Sequence, residues 1–516
     1  MNTIPSRPNR VRISRAPDMI RTLARTLFMA LVLIPGGAGW HATGTAFAQK
    51  NIATAGDRTS VDLTVYNQNL SLVREERSVL LTGGLNTVVV PDIPATIDGT
   101  SLHFRSLMDP TGVRILEQNY QYDLVSQAKL LEKYLGKEIE FVRLNEETKQ
   151  EYTVRGKLLA TGFGGRAGVV AEINGKIEMD PAGRMVLPSL PEGLILRPRL
   201  RWMVDNSTPG KHNIELSYLA GGLSWSSDYV ALLSEKDDKL DLTGWVTLVN
   251  NSGAAFQNAG LKLVAGDVNV VSGAIGYDMR AMKSLNAAEA AAPQFQQSEL
   301  FEYKLYTLQR KTDLNPNETK QIELVSGRDV ASKKMFIYDG VADQWRYWWN
   351  NPSYRNQQSF GQQSNTKVGT YVTFMNEKKS GLGIPLPKGK VRVYKLDTDG
   401  KEQFVGEDRI DHTPKDEEIR LYLGNAFDIV GERAQTDFKS FASGKVVEET
   451  IRIKVRNHKD EKVTVQVYEH PWRWNQWEIT KKSTEFEKVD QSTIRFPVTI
   501  PADGEVTVTY TIRYSW

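Results

Sequence analysis

The sequence predicts a mainly-β protein built from tandem antiparallel, immunoglobulin-like β-sandwiches, with a small β-barrel insert and one short helix. Apolar and polar residues alternate along most of the chain, as in Val61-Asp62-Leu63-Thr64-Val65, and a period of two is typical of strands with one buried face. Helical spacing is confined to one stretch near residue 130. Short strands stacked in layers are therefore expected along most of the chain.

The first sandwich is expected to begin in residues 49–120. Two apolar runs, Leu80-Leu81 and Val88-Val89-Val90, flank the turn pair Gly83-Gly84, which predicts a β-hairpin. From residue 122 onward the apolar residues recur at helical spacing, and Gly136 follows where a left-handed cap would end a helix. Several short apolar runs come next, so residues 121–198 are interpreted as a small barrel insert that carries the short helix.

The remaining chain is divided by composition. Residues 199–271 return to strand periodicity and complete the first sandwich, whereas residues 272–299 are rich in Ala and Gln, which predicts a flexible linker. A β-rich middle region is expected over 300–430, with a polar excursion at about 341–366. A C-terminal sandwich is expected over 431–516, because four runs each bring their apolar residues to one face: 451–455, 463–467, 494–500 and 506–516.

Composition narrows the possible functions. The chain has 516 residues and no cysteine, which excludes disulfides, thiolate nucleophiles, zinc–cysteine sites and iron–sulfur clusters. Six of the 65 basic and one of the 62 acidic side chains lie in the first 48 residues, so the rest of the chain is nearly neutral. Nucleic acid is therefore not expected as a partner, because binding phosphate requires a basic surplus.

Residues 1–48 are predicted to be a cleavable signal peptide. Six arginines precede the apolar run 27–34, and Ala46-Phe47-Ala48 has the small-x-small pattern of a cleavage site. Cleavage after Ala48 would leave Gln49 first, and no transmembrane helix is expected after cleavage, because no later run approaches the roughly 20 residues that a spanning helix needs. The expected location is periplasmic or extracellular.

Several motifs carry a family resemblance. They are the stretches 218–229 (YLAGGLSWSSDY), 244–253 (GWVTLVNNSG), 261–269 (LKLVAGDVN), 381–389 (GLGIPLPKG) and 399–408 (from DG to FVGED). In this order they resemble the domain-of-unknown-function 4139 family, some of whose longer relatives are named mucoidy-inhibitor-like proteins. The resemblance implies an extracytoplasmic β-rich protein of unknown biochemical role, and it supplies no functional residues. The helical amino-terminal half of the longer relatives is missing here.

Two aromatic clusters are candidate ligand-binding sites, because flat rings bind sugars through their faces and anchor protein partners. The first cluster comprises Trp345, Tyr347, Trp348, Trp349 and Tyr354, and the second comprises Trp472, Arg473, Trp474 and Trp477. Burial of the rings against the sandwich is the alternative for both clusters, since large aromatic residues usually bury most of their area.

No cofactor, metal or catalytic residue is expected. The G-x-G-x-x-A pattern in residues 161–167 precedes a strand rather than a helix, and Asp397-Thr398-Asp399-Gly400 lacks the glutamate that would complete a calcium loop. The expected function is a non-catalytic envelope role in binding a protein or polysaccharide. A glycan-directed hydrolase and an outer-membrane-associated β protein are the alternatives.

Overall fold

A computed structural model describes residues 49–52, 57–162, 168–266, 268, 294–341, 351–360, 362 and 364–516. These residues form thirty strands and one α-helix, so the predicted mainly-β class is confirmed. Short 3₁₀ turns occupy Gly99–Ser101, Pro352–Tyr354, Lys378–Ser380 and Ala442–Gly444. Among the described residues, no helix is both long enough and apolar enough to cross a membrane.

The elements follow one another in chain order. The first strands are β1 (Gln49–Ile52), β2 (Arg58–Tyr66), β3 (Ser71–Leu81), β4 (Gly84–Pro91), β5 (His103–Ser106) and β6 (Val113–Gln121). Next come α1 (Gln127–Lys133), β7 (Glu138–Leu144), β8 (Glu151–Ala160), β9 (Val170–Ile173), β10 (Lys176–Met179) and β11 (Arg184–Val186). They lead to β12 (Arg199–Asn206), β13 (Gly210–Ala220), β14 (Leu223–Leu233), β15 (Lys239–Asn250) and β16 (Phe256–Ala265).

The second half of the chain continues the series. Its strands are β17 (Phe295–Leu300), β18 (Tyr303–Leu308), β19 (Thr312–Leu314), β20 (Glu318–Asp339), β21 (Lys367–Met375), β22 (Gly389–Leu396) and β23 (Glu402–Ile410). The last are β24 (Glu418–Phe441), β25 (Val446–Asn457), β26 (Val463–Glu469), β27 (Trp477–Lys482), β28 (Glu487–Asp490), β29 (Thr493–Ile500) and β30 (Gly504–Ser515). Strand β17 lies at the end of the predicted linker, with Phe295 buried, so that part of the prediction is wrong; linker residues 272–293 lie outside the described residues.

Two stacked sheets form the amino-terminal part. A four-stranded sheet has the order β1-β4-β12-β6, and an eight-stranded sheet has the order β17-β18-β16-β2-β3-β13-β5, with β19 paired to β16. The rings of Phe104 and Trp202 meet between these sheets, with their centroids 5.2 Å apart. The predicted hairpin of β3 and β4 is wrong, because the two strands belong to different sheets. The reason is visible in β4, where Asn86 to Val90 are all buried, as in a strand covered on both faces.

The largest sheet joins the two halves of the molecule. Its order is β23-β22-β14-β15-β20-β21-β24-β25-β30-β27, and β26 extends from β20 to carry β29 and β28. Strands β20 and β24 are 22 and 24 residues long, and each contributes buried residues to two hydrophobic cores. The four predicted C-terminal runs form β25, β26, β29 and β30, whose apolar faces enclose the second core. There the rings of Phe496 and Tyr510 stack 5.5 Å apart.

The insert is an open sheet with its own small core. Its five strands have the order β10-β9-β8-β7-β11, and Phe141 and Leu158 are buried against Leu131 of α1. The end strands β10 and β11 have only four and three residues and do not pair with each other. In the described residues the insert is therefore not closed into the predicted barrel. The helix forms where predicted, with Ser126 as its N-cap and Gly136 at a positive φ of 76° beyond its end.

Candidate functional site

Among the described residues of the two predicted aromatic clusters, Tyr354 lies in the short segment 351–360, and Trp472 and Trp474 contact that segment. Trp345, Tyr347, Trp348 and Trp349 lie outside the described residues. Tyr354 is described, and its ring stacks on Phe360 at a centroid distance of 5.0 Å. Phe360 in turn contacts the ring of Trp472 at 4.1 Å. The structure thus brings a member of the first predicted cluster next to the second cluster.

Trp472 and Arg473 are buried rather than available to a ligand from solution. Their exposed fractions are 4% and 1%. The Arg473 guanidinium donates hydrogen bonds to the carbonyl oxygens of Arg355 and Gln357, at 3.0 and 2.9 Å, and to the Glu449 carboxylate at 3.0 Å. Both residues therefore hold the chain's own segment 351–360 in place.

Trp474 and Trp477 are half-buried, and side chains of the same chain lie over their rings. The Arg355 guanidinium carbon lies 3.4 Å from the ring centroid of Trp474, and the Lys488 ammonium lies 5.0 Å from that of Trp477. These distances are typical of cation–π contacts. A sugar would have to displace these cations before it could stack on either ring.

A different surface offers an open aromatic site, at the junction of the first sandwich and the insert. A cleft of about 410 Å³ is lined by Tyr120, Gln121, Tyr122, Asp123, Lys129 and Gly193. The two tyrosine rings stack at a centroid distance of 5.2 Å, with an interplanar angle of 29°. Tyr122 is 66% exposed, whereas Tyr120 is anchored by a hydrogen bond from its hydroxyl to the Ala95 carbonyl at 3.0 Å. The anchored ring thus supports an exposed one.

Charged groups stand beside the stacked rings. Asp123 and Lys129 form an ion pair, and both side chains remain partly exposed. Gln121 accepts a hydrogen bond from the Arg199 guanidinium at 2.6 Å, which directs its amide. Burial, and the neighbouring Tyr122 phenol to a lesser degree, raises the pKa of Tyr120 above its ordinary value. The cleft therefore combines an apolar ring face with both donors and acceptors.

The residues of this cleft are not among the predicted ligand-binding residues, although the sequence carries a signal for them. Tyr120 lies near the end of β6 and Tyr122 directly follows this strand, and residues at this spacing point to the same side of an extended chain. The chain then turns into the insert, whose helix α1 brings Lys129 to the cleft. Gly193, some seventy residues later in the chain, completes the lining of the cleft. The sequence does not show that Gly193 lies close to the two tyrosines.

A buried serine–histidine pair resembles part of a catalytic site but has no access to solvent. The Ser106 hydroxyl lies 3.0 Å from His212 Nδ1, and His212 Nε2 lies 2.7 Å from the carbonyl oxygen of Thr208. Because a carbonyl only accepts, Nε2 donates to the Thr208 carbonyl oxygen. Both side chains are buried, so the pair joins β5 to β13 rather than acting on a substrate.

The described residues contain no group of three or more His, Asp or Glu side chains that could hold a metal ion. Asp397 instead accepts hydrogen bonds from the backbone amides of Asp399 and Lys401, both at 2.9 Å, and Gly400 has a φ of 74°. This arrangement is a β-turn.

The fold and the cleft define a mainly-β protein with an open site of tyrosines and charged groups. No protein-family model matches the chain, and no curated protein matches it in sequence.

Proposed function

We propose that this protein is exported to the cell envelope and binds a polysaccharide in the cleft beside Tyr122. The stacked pair of Tyr120 and Tyr122 is the observation that carries the proposal. Sugar rings present faces of C–H groups, which pack against an aromatic ring, and their hydroxyls need donors and acceptors nearby. Asp123 and Lys129 supply those groups, and the cleft volume lies within the roughly 300–1,000 Å³ of ligand sites.

Binding is favoured over hydrolysis by the charged groups of the cleft. Glycosidases commonly use two carboxyl groups about 5–10 Å apart. Among the lining residues only Asp123 is a carboxylate, and it is paired with Lys129. A second carboxylate converging on the rings is therefore missing from the lining of this cleft.

The test is affinity electrophoresis through gels containing neutral or uronate-bearing soluble polysaccharides. At least one polysaccharide is expected to retard the protein, and Tyr122→Ala is expected to weaken that retardation about tenfold, the value of about 1.4 kcal/mol for a lost stacking contact. The matched control is Tyr152→Ala, which removes a tyrosine exposed on the insert but absent from the cleft lining. The proposal is wrong if no polysaccharide retards the protein, or if both variants behave like the unmodified chain.

The envelope location is part of the same proposal. It is supported by the signal-peptide pattern of residues 1–48. Amino-terminal sequencing of the protein from its native host should begin at Gln49. A chain that retains residues 1–48 would contradict export through cleavage at this site.

A further inference from the structure

Residues 351–360, hereafter the strap, lie on the C-terminal sandwich as a bound peptide would. The strap pairs with no strand among the described residues and contains a single 3₁₀ turn, Pro352–Tyr354, capped by Asn351. Its contacts converge on four side chains, hereafter the clamp: Trp472, Arg473, Trp474 and Trp516. Strap and clamp are more than seventy residues apart in sequence.

Arg473 binds the backbone of the strap. Its guanidinium reaches the carbonyl oxygens of Arg355, Gln357 and Phe360, at 3.0, 2.9 and 3.4 Å. The Glu449 carboxylate accepts a hydrogen bond from this guanidinium at 3.0 Å and another from the Gln435 side chain at 2.7 Å. Because carbonyl oxygens are common to all sequences, this contact would bind any segment with the same backbone path.

Two side chains of the strap provide the specific contacts. Phe360 is buried against Trp472 at 4.1 Å. The Arg355 guanidinium lies over Trp474 at 3.4 Å and faces Trp516 at 5.5 Å. Buried aromatic and arginine anchors are the residues that dominate binding energy at protein interfaces. The clamp therefore matches a segment that carries an arginine followed by an aromatic residue.

The strap does not satisfy the clamp completely. Eight buried side-chain polar atoms in the described part of the chain have no hydrogen-bond partner, and three of them lie at this interface: Arg355 Nε, Trp472 Nε1 and Arg473 Nε. All three are donors, and each buried unpaired donor lowers the stability of the contact. A segment that offers acceptors to Trp472 and Arg473 would bind more favourably than the strap.

We propose that the clamp is a peptide-recognition groove, occupied in cis by the strap, which exchanges the strap for an arginine- and aromatic-bearing segment of a partner protein. The strap then acts as a built-in competitor that keeps the groove closed until such a segment is present. This groove is separate from the cleft of Tyr122, and its test does not depend on polysaccharide binding.

The probe is a fluorescein-labelled peptide with the sequence of residues 351–360. In the full chain, the double substitution Arg355→Ala and Phe360→Ala weakens the strap as a competitor. Fluorescence anisotropy should show that this variant binds the peptide at least tenfold more tightly than the unmodified chain does. A peptide carrying the same two alanines should not bind, and adding Trp474→Ala to the protein variant should abolish binding of the original peptide.

The outcome that overturns the proposal is a strap variant that keeps its circular dichroism spectrum yet does not bind the peptide, or that binds both peptides equally. Should the variant fail to fold, hydrogen exchange of the unmodified chain decides the question. Saturating peptide is expected to speed exchange of the strap amides at least tenfold, and unchanged exchange would contradict displacement. Concentration-dependent dimerisation of the unmodified chain would assign the groove to a second copy and overturn the partner-protein assignment.

Discussion

Five asparagines at strand ends are buried and fix the turns of this protein: Asn86, Asn206, Asn250, Asn376 and Asn457. Each uses its side-chain amide to bind backbone groups of nearby loops. Asn250, for example, donates to the carbonyl oxygens of Ala254 and Asn315, at 2.9 and 3.0 Å. Because buried carbonyls without partners are costly, these side chains take the place of water.

Replacing one of these asparagines should destabilise the protein measurably. Asn457 donates to the carbonyl oxygens of Glu461 and Pro501, both at 2.8 Å. Asn457→Ala removes two hydrogen bonds made by a fully buried side chain, so the free energy of unfolding is expected to fall by about 1–3 kcal/mol. Urea denaturation measures the change.

The control for this prediction is Asn119→Ala, which alters an exposed asparagine on β6 and should change the free energy of unfolding by less than about 0.5 kcal/mol. Equal losses for both variants would show that burial of the amide is not the cause.

The same asparagines show what the sequence can and cannot predict about single residues. Asn250-Asn251-Ser252-Gly253 is recognisable as a turn from its residue types. The Asn250 amide is buried because it binds carbonyl oxygens 64 and 65 residues away in the sequence. The residues around Asn250 do not indicate these distant partners. For the same reason, the sequence did not reveal whether the side chains of Trp472 and Arg473 are buried or exposed.

At the scale of secondary-structure elements, one carboxylate in the turn between β14 and β15 forms ion pairs with two other strands. Asp237 lies between β14 and β15, and it pairs with Lys334 of β20 and Lys395 of β22. Burial acts to raise the pKa of Asp237, but the hydrogen bonds from the two lysines outweigh it, and the pKa lies below its ordinary value. The ionised carboxylate therefore stabilises the folded state.

This pKa shift gives a signed pH dependence. The stabilisation is present above the carboxyl pKa of the unfolded chain, about 4, and is lost as the pH falls through the lower folded-state value. Asp237→Asn should therefore lose less stability than the unmodified chain between about pH 5 and pH 3. Thermal unfolding across this range measures the difference.

Asp460→Asn, at an exposed turn position, serves as the control and should retain the acid sensitivity of the unmodified chain. If Asp237→Asn also retains that sensitivity in full, the two lysine contacts do not contribute to stability.

The C-terminal core contains a charge pair whose removal should cost more. Arg433 donates to Glu469 at 2.8 Å, both are buried, and the Tyr510 hydroxyl also donates to Glu469. Glu469→Gln would remove the carboxylate that binds the buried Arg433 guanidinium, so a loss of about 3–5 kcal/mol is expected in denaturant titrations. Asp205→Asn, which breaks an exposed pair with Arg114, should cost less than about 1 kcal/mol.

The predictions of strands from the sequence succeeded where one face of the strand is exposed to solvent, and they failed where both faces are buried. The runs that became β25, β26, β29 and β30 alternate, and their registers follow from that alternation. Strand β4 lacks alternation, so its place in a second sheet could not be inferred from a neighbouring turn. The insert was recognised as several short strands, but its openness depends on pairings that strand length alone does not determine.

At the scale of the whole molecule, two long strands make the cores interdependent. Strands β20 and β24 each place residues in the core of the first half and in the C-terminal core. A strand of this kind cannot leave one core without straining the other. Unfolding of the two cores is therefore expected to be cooperative.

Calorimetry of core variants tests this expectation. Leu263→Ala in the first core and Ile453→Ala in the C-terminal core each remove a fully buried side chain and should cost about 2–5 kcal/mol. Both should shift the same main transition to lower temperature. Two resolved transitions, each sensitive to only one of the substitutions, would contradict the coupling.

The chain enters and leaves the insert side by side. Leu124 and Ile195 form a parallel bridge, with the Val125 amide bonded to the Ile195 carbonyl and the Ile195 amide bonded to the Asp123 carbonyl, both at 3.0 Å. Adjacent ends of this kind permit one small module to be exchanged for another without moving the host. The first sandwich could therefore accept a different module at this position. Such a chimera would replace the side of the cleft that the insert forms, while the strands that hold the tyrosines would stay unchanged.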